Sequence, residues 1–271
     1  MERLTRGGPI GGPPVPGLED LDGQELDGLV FCGKAYDVFD EIRASPDGIR
    51  ELRLLTSDRA KKVIEEILPL ATYVQARYRV GVRLYVRWRG GNQPFDAEVR
   101  WEGDGVKHLG IPERGHIEIT TAVAANEHLA REHLHNEGGS FSAAGTTRDR
   151  KTGRTVSVPT VFSNSWHGDL VRLIEATIAK KAQKSYPANT SLIVLWRPGV
   201  SVILDEDWEP IVAALVAALR PTECQFREVV LVEENCSRLA TVYQPGACIV
   251  HDTDQPDSAD PSQSGGVGEV T

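Results

Sequence analysis

Acidic side chains alternate along two neighbouring predicted strands in the middle of the chain. Asp96 and Glu98 lie on the polar face of the segment FDAEVRW (95–101), and Glu118 lies on the polar face of HIEITT (116–121). Carboxylates brought together from adjacent strands form an oxygen-rich site that suits a hard cation such as Mg²⁺. Such a cation polarises a phosphodiester and lowers the pKa of a bound water. The alternative is that these acids are ordinary polar residues on a solvent-exposed strand face.

The helix predicted over residues 166–185 offers a positive charge to such a site. A lysine on the inward face near a helix end can reach the carboxylates. The alternative is that lysines near a helix C-terminus complement the helix dipole and extend into solvent. The inward stripe of this helix consists of Leu170, Leu173, Ile174, Thr177 and Ile178, continues to Lys181, and has Lys184 beside it.

Basic residues form two further clusters that could bind phosphates. An arginine row alternates with apolar residues along the segment 77–89, and the loop 148–154 reads RDRKTGR. Contacts of this kind bind a nucleic-acid backbone without reading its sequence. The alternative is a solvated strand face whose arginines pair with acids on the next strand, such as Glu98, together with an ordinary surface loop. The candidate nucleic-acid contacts are Arg83, Arg87, Arg148, Arg150 and Lys151.

Other catalytic arrangements are not indicated by the sequence. His128, His133 and His135 are spaced by five and two residues, so no two of them share a helix face as metal ligands do at a spacing of about four. The chain has no Walker A loop and no GxGxxG motif. Its four cysteines form no CxxC pair, which favours reduced thiols over a disulfide framework or a zinc site.

The net charge of −9 does not exclude nucleic acid as a partner, because most of it lies at the two ends of the chain. Residues 1–34 carry −3 and residues 252–271 carry −5, which leaves −1 for residues 35–251. No apolar stretch approaches the roughly 18 residues of a membrane span, and the N-terminus lacks the apolar region of a secretory signal. We therefore expect a cytoplasmic protein that does not enter the membrane.

The 271 residues are predicted to form one domain with two disordered ends. Residues 1–28 mix Pro and Gly with acids and show no usable periodicity, and the acidic segment 251–271 has the same character. No linker rich in Pro, Gly or Ser divides the residues between them. We expect residues 29–250 to form a single α/β domain.

Alternating apolar residues predict three consecutive strands, at 77–89, 95–101 and 116–121, joined by short turns into an antiparallel meander. Helices near 34–44 and 46–55 and a longer helix from Ser57 precede the meander. Glu65 and Glu66 flank the apolar stripe of the longer helix; they could add an acid to the site but are interpreted as structural. Helices at 166–185 and 206–219 alternate with apolar strands at 191–196 and 228–232, which predicts a mixed sheet flanked by helices.

This order of elements resembles the PD-(D/E)xK nuclease superfamily, over roughly residues 57–196. The motifs behind the resemblance are Pro94-Phe95-Asp96 at the start of the second strand and Glu118-Ile119-Thr120 in the third. The chain is also similar to bacterial proteins of unknown activity that share an ExTT strand and segments like KKAQKSYP (180–187), SLIVLW and FREVVLV.

The resemblance implies a restriction-endonuclease-like fold and a Mg²⁺-dependent nuclease acting on DNA. By the same resemblance, Asp96 and Glu118 hold the metal. The third residue of the superfamily motif is Lys, and here Thr120 stands in its place. Since Thr supplies no positive charge, Lys181 is the candidate substitute, because some members of the superfamily carry their lysine on this helix. The alternative is a catalytically inactive relative that binds nucleic acid or a protein partner.

Overall fold

A seven-stranded mixed sheet forms the centre of the domain in the computed structural model. The structure describes residues 17–139, 143, 145–158, 166–197, 205–219 and 224–245. The strands of the sheet lie in the order β1-β2-β3-β4-β7-β8-β9, and β5 and β6 form a separate hairpin. Their bounds are β1 Leu26–Asp27, β2 Arg83–Trp88, β3 Ala97–Glu102, β4 Arg114–Val123, β5 Thr146–Arg148, β6 Thr155–Ser157, β7 Thr190–Arg197, β8 Glu228–Glu233 and β9 Leu239–Tyr243.

The predicted antiparallel meander is present as β2, β3 and β4. Beyond it, β7 runs parallel to β4 and β8 parallel to β7, while β9 returns antiparallel to β8. Every residue of β7 and β8 is buried, as their nearly continuous apolar sequences require of strands with both faces covered. The expectation of a single α/β domain with a mixed sheet is confirmed.

Helices cover both faces of the sheet. Ile193 and Leu195 of β7 face a core that contains α1 and α4, whereas Leu192 and Val194 face a core that contains α7 and α8. Among the described residues, the second core includes none from β2 or β3. The helices are α1 Gly28–Ala44, α2 Gly48–Leu54, α3 Asp58–Lys62, α4 Leu68–Arg77, α5 Asp104–His108, α6 Glu127–Glu137, α7 Trp166–Ala182 and α8 Asp205–Leu219.

A π-helical turn, Val63–Ile67, joins α3 to α4 without a break. The N–H of Leu68 donates to the carbonyl of Val63, five residues earlier. Pro69 follows immediately and has no N–H of its own, and its ring crowds the carbonyl four residues before it, so a wider turn at this place accommodates the proline. The turn carries Glu65 and Glu66, whose side chains reach different parts of the sheet.

The segment before α1 is ordered where disorder was predicted. Leu21 is fully buried, and β1 pairs antiparallel with β2. Asp27 caps α1 by accepting the N–H of Leu29 at 3.0 Å. The prediction of disorder over residues 1–28 is therefore wrong from residue 17 onward, because a few leucines in this acidic segment are enough to anchor it on the sheet. Residues 1–16 and 246–271 lie outside the described residues.

Three smaller elements differ from the predicted ones. A short helix, α5, occupies the place of a predicted turn after β3, and the polar segment before α7 contains the β5–β6 hairpin. The strand β9 was not predicted, because its pattern is short and only Val242 in it is fully buried. None of the helices in the described part of the chain combines the length and apolar composition of a membrane span.

A buried ion-pair network lies at the carboxyl ends of the parallel strands. The side chain of Arg197, at the end of β7, is 2% exposed; its Nη1 lies 2.8 Å from Glu65 and its Nε 3.3 Å from Glu234. Its Nη2 lies 3.8 Å from Glu127, at the start of α6. Arg131 bridges Glu127 and Glu234 and completes the network. The network thus joins the π-helical turn, β7, α6 and the end of β8.

We predict that Arg197→Ala lowers the free energy of unfolding by about 3–5 kcal/mol, because it leaves three glutamates with a single compensating arginine. The matched control is Arg172→Ala, whose ion pair with Asp169 has side chains 67% and 62% exposed. That change is expected to cost less than about 1 kcal/mol. Urea unfolding measures both. Equal losses in the two variants would contradict a stabilising role of the buried network.

Candidate functional site

Asp96 and Glu118 lie across from each other on neighbouring segments of the sheet. Ala97 pairs with Ile117 in the β3–β4 ladder, and the N–H of Asp96 donates to the carbonyl of Ile117 at 2.8 Å. Asp96 therefore stands just before β3, one position beyond that pair, opposite Glu118 in the middle of β4. Glu118 is only 7% exposed. The two acids that the sequence pattern pointed to are thus brought together in a largely buried place.

The side-chain carboxylate of Asp96 accepts a hydrogen bond from the backbone of β4, just before β3 begins. Its Oδ2 accepts the N–H of Ile119 at 2.6 Å. Burial, together with the negative charges of Glu118 and Glu66, raises the pKa of Asp96 to about 7, against the opposing effects of the Ile119 hydrogen bond and Lys181. Near neutral pH this carboxyl group is therefore close to its midpoint of ionisation.

Lys181, in the last turn of α7, reaches into the site and forms an ion pair with Oε1 of Glu118. The inward stripe of α7 positions it, since Ile174 and Ile178 are buried against the sheet on the same side. Tyr186, shortly before β7, donates its hydroxyl to the same Oε1 at 3.3 Å. Burial and the charge of Glu118 raise the pKa of Tyr186, so its hydroxyl stays a donor. Sequence reasoning included Tyr186 in a motif but assigned it no place in the site.

Glu66 is a further acid whose charge acts on Asp96. Its Oε2 accepts the indole N–H of Trp88 at 3.2 Å, and burial raises its pKa. The structural interpretation holds for Glu65, which pairs with Arg197, but Glu66 acts electrostatically on Asp96. Regular helical spacing does not predict that Glu65 and Glu66 have different roles. The π-helical turn changes the directions in which these two side chains leave the helix.

The donor atoms fit a magnesium ion held by few protein ligands. Within the described residues no three His, Cys, Asp or Glu side chains converge on one point. Asp96 Oδ2 and Glu118 Oε1 accept hydrogen bonds, whereas the other oxygen of each carboxylate accepts none from the described part of the chain. Each carboxylate therefore keeps one oxygen that could bind a cation. Mg²⁺ in phosphoryl-transfer sites is commonly bound by one or two carboxylates, with waters and substrate phosphates as its other ligands.

A cleft of about 450 Å³ adjoins Lys181. Thr120 lies on its β4 wall, and α7 with the turn that follows it forms the other wall. We call this the lysine cleft, after the three lysines on that second wall. They are Lys180, Lys181 and Lys184.

The candidate nucleic-acid contacts divide into paired and unpaired groups. Arg87 lies 3.3 Å from Glu98 and 3.6 Å from Glu25, so the acids of the neighbouring strands balance its charge. Arg148 likewise pairs with Glu132. The exposed Arg83, Arg150 and Lys151 form no ion pair with any described residue. The pairing of Arg87 therefore favours a strand face whose arginines pair with acids on neighbouring strands over an open phosphate-binding surface.

Comparisons with known proteins assign no family to this chain: no protein-family model, no curated protein and no solved structure matches it. The likeness to the PD-(D/E)xK superfamily thus rests on short motifs and element order.

We predict that Asp96→Asn stabilises the metal-free protein at about pH 8, by up to about 4 kcal/mol. The amide keeps an acceptor for Ile119 and removes a charge beside Glu118. Because the folded protein holds a proton on Asp96 that the unfolded chain releases near pH 4, the wild type loses stability as pH rises from about 4 to about 7.

Thermal unfolding in EDTA at about pH 5, 6.5 and 8 measures this effect across the titration range of Asp96. The advantage of Asp96→Asn should grow over this series. Asp47→Asn, at an exposed position, is the matched control and should track the wild type. A constant difference between Asp96→Asn and wild type across the series would show that Asp96 does not titrate in this range.

Proposed function

We propose that this protein is a divalent-cation-dependent nuclease with a restriction-endonuclease-like core, in which Asp96 and Glu118 hold the cation and Lys181 supplies the positive charge. The observation that carries the proposal is the joint placement of these three side chains. Two carboxylates face each other from adjacent segments of the sheet, and the ammonium of a third element bonds to one of them. DNA is the proposed substrate.

The topology supports the proposal independently of the side chains. The helix α4 precedes an antiparallel meander, β2-β3-β4, and the crossover through α7 leads to β7, which is parallel to β4. This is the order on which the resemblance to the superfamily rests. Asp96 stands at the start of the second meander strand and Glu118 in the third, as its motif places them.

A bound divalent cation would polarise a phosphodiester and bring a water within reach of its phosphorus. The side chains of the chain perform the remaining tasks. Lys181 places an ammonium beside the negative charge that develops on the phosphate during attack, a charge that Thr120 cannot stabilise in this way. Asp96 has to give up its carboxyl proton to act as a ligand, so activity should rise with pH across the region of its pKa of about 7.

A catalytically inactive nuclease-fold protein that binds nucleic acid or a protein partner is the second candidate. Thr120 favours it, because the motif position that usually carries the lysine holds a residue without charge. The ion pair of Lys181 with Glu118 favours it as well, since a paired lysine can act as a purely structural counter-ion. The two candidates differ in whether the wild type cleaves any nucleic acid.

We predict that the wild type cleaves plasmid DNA in Mg²⁺ and not in EDTA, and that Lys181→Met lowers the rate by about a hundredfold or more. The control is Lys107→Met, at an exposed lysine of α5, which should keep full activity. Because Lys181→Met leaves Glu118 without its ion pair, thermal unfolding must establish that the variant is folded. In the double variant Thr120→Lys/Lys181→Met, a lysine at the motif position is expected to restore part of the rate.

Two results would overturn parts of this account. Full activity in folded Lys181→Met would remove Lys181 from catalysis while leaving the carboxylate site in place. No cleavage of single- or double-stranded DNA or of RNA by the wild type, in Mg²⁺ or Mn²⁺, would favour the inactive binding protein.

A further inference from the structure

The lysine cleft has a charge unlike that of the protein as a whole. The full chain carries a net charge of −9, yet the cleft is lined by three lysines and no acid. Lys180 and Lys184 are exposed and form no ion pair with any described residue. Their charges are therefore available to an anion, in contrast to those of Arg87 and Arg148, which acids already balance.

We propose that the lysine cleft is the subsite that holds the sugar-phosphate backbone of a DNA substrate, with Lys180 and Lys184 as its phosphate contacts. This inference rests on the proposed nuclease function and names the surface by which the substrate reaches the site. Lys181 borders both places: it lines the cleft and bonds to Glu118. A backbone bound in the cleft is thereby led to the facing carboxylates.

The usual structural reason for lysines at a helix C-terminus is weakened here. Such lysines often bind the last carbonyl groups of the helix. At the end of α7, the side-chain amide of Gln225 donates to the carbonyl of Ala182 at 2.9 Å and to that of Lys184. Gln225 thus satisfies the last carbonyl of α7 and the carbonyl of Lys184, and the ammonium groups of Lys180 and Lys184 make no hydrogen bond with any described residue.

The shape and spacing of the cleft suit a chain of phosphates. Its volume of about 450 Å³ falls within the range of small-ligand pockets. Lys180, in the last turn of α7, and Lys184, in the turn just after it, both line this cleft, so their ammonium groups can contact one phosphate or two successive ones. The hydroxyl of Thr120, on the opposite wall, adds a donor of the kind that binds phosphate oxygens. These contacts involve no base edges, so the binding should be independent of sequence.

The test measures binding of a fluorescein-labelled DNA duplex by anisotropy, in EDTA and at several salt concentrations. We expect Lys180→Gln/Lys184→Gln to bind at least about tenfold more weakly than wild type, with a salt slope smaller by nearly 2, since each lost phosphate contact lowers it by about 0.9. The matched control is Arg50→Gln/Arg53→Gln, which removes two exposed bases of α2 that form no ion pair with any described residue. Both variants should unfold at the wild-type temperature because none of the replaced side chains forms an ion pair with a described residue.

Three results would overturn the cleft as the backbone subsite. The lysine variant could bind DNA with wild-type affinity, the control variant could lose as much affinity as the lysine variant, or the wild type could bind no DNA. Cleavage assays in Mg²⁺ separate this inference from the proposed function. DNA binding that depends on Lys180 and Lys184 without cleavage would retain the subsite and reject the nuclease. Cleavage with an unchanged KM in Lys180→Gln/Lys184→Gln would retain the nuclease and reject the subsite.

Discussion

One ammonium group compensates two facing carboxylates in this fold, and the arrangement around the site follows from that balance. Asp96 and Glu118 are placed opposite each other by the β3–β4 ladder, where two ionised acids repel each other. Lys181 bonds to Glu118, whereas burial and the charge of Glu118 raise the pKa of Asp96 to about 7. The ion pair exists only because α7 packs on the same face of the sheet as Glu118 and ends beside it. When Asp96 is ionised, two carboxylates share one ammonium, and the proposed cation would offset that imbalance.

A second, more deeply buried set of charges is built on the π-helical turn that also carries Glu66. Arg197 ties the π-helical turn to the ends of β7 and β8 through Glu65 and Glu234. The same turn brings Glu66 next to Trp88 and within electrostatic reach of Asp96. The structural network and the candidate site therefore share one irregular turn. Pro69 directly follows that turn, whose wider backbone accommodates the proline.

The regular helices and strands could be predicted from the sequence, because an element with one buried face carries apolar residues at a regular spacing. The alternation of β2 to β4 and the continuous apolar stretches of β7 and β8 predicted the sheet, and the stripe of α7 pointed to Lys181. Features that depend on distant contacts could not be predicted in this way. Leu21 is anchored by strands far along the chain, Glu66 is positioned by a π-helical turn, and the charge of Arg87 is balanced by Glu25, in a segment with no periodicity. The raised pKa of Asp96 arises from burial and neighbouring charges that spacing alone does not reveal.

The central claim is that Asp96 and Glu118 form one divalent-cation site, and binding of Mn²⁺ measured by electron paramagnetic resonance tests it most directly. The account predicts one bound ion per chain in the wild type, with higher affinity at about pH 8 than at about pH 6.5, since the proton on Asp96 must leave. It also predicts loss of binding in Glu118→Gln and loss of the pH dependence in Asp96→Asn. No binding by the wild type at millimolar Mn²⁺, or unchanged binding when both acids are replaced, would contradict the claim.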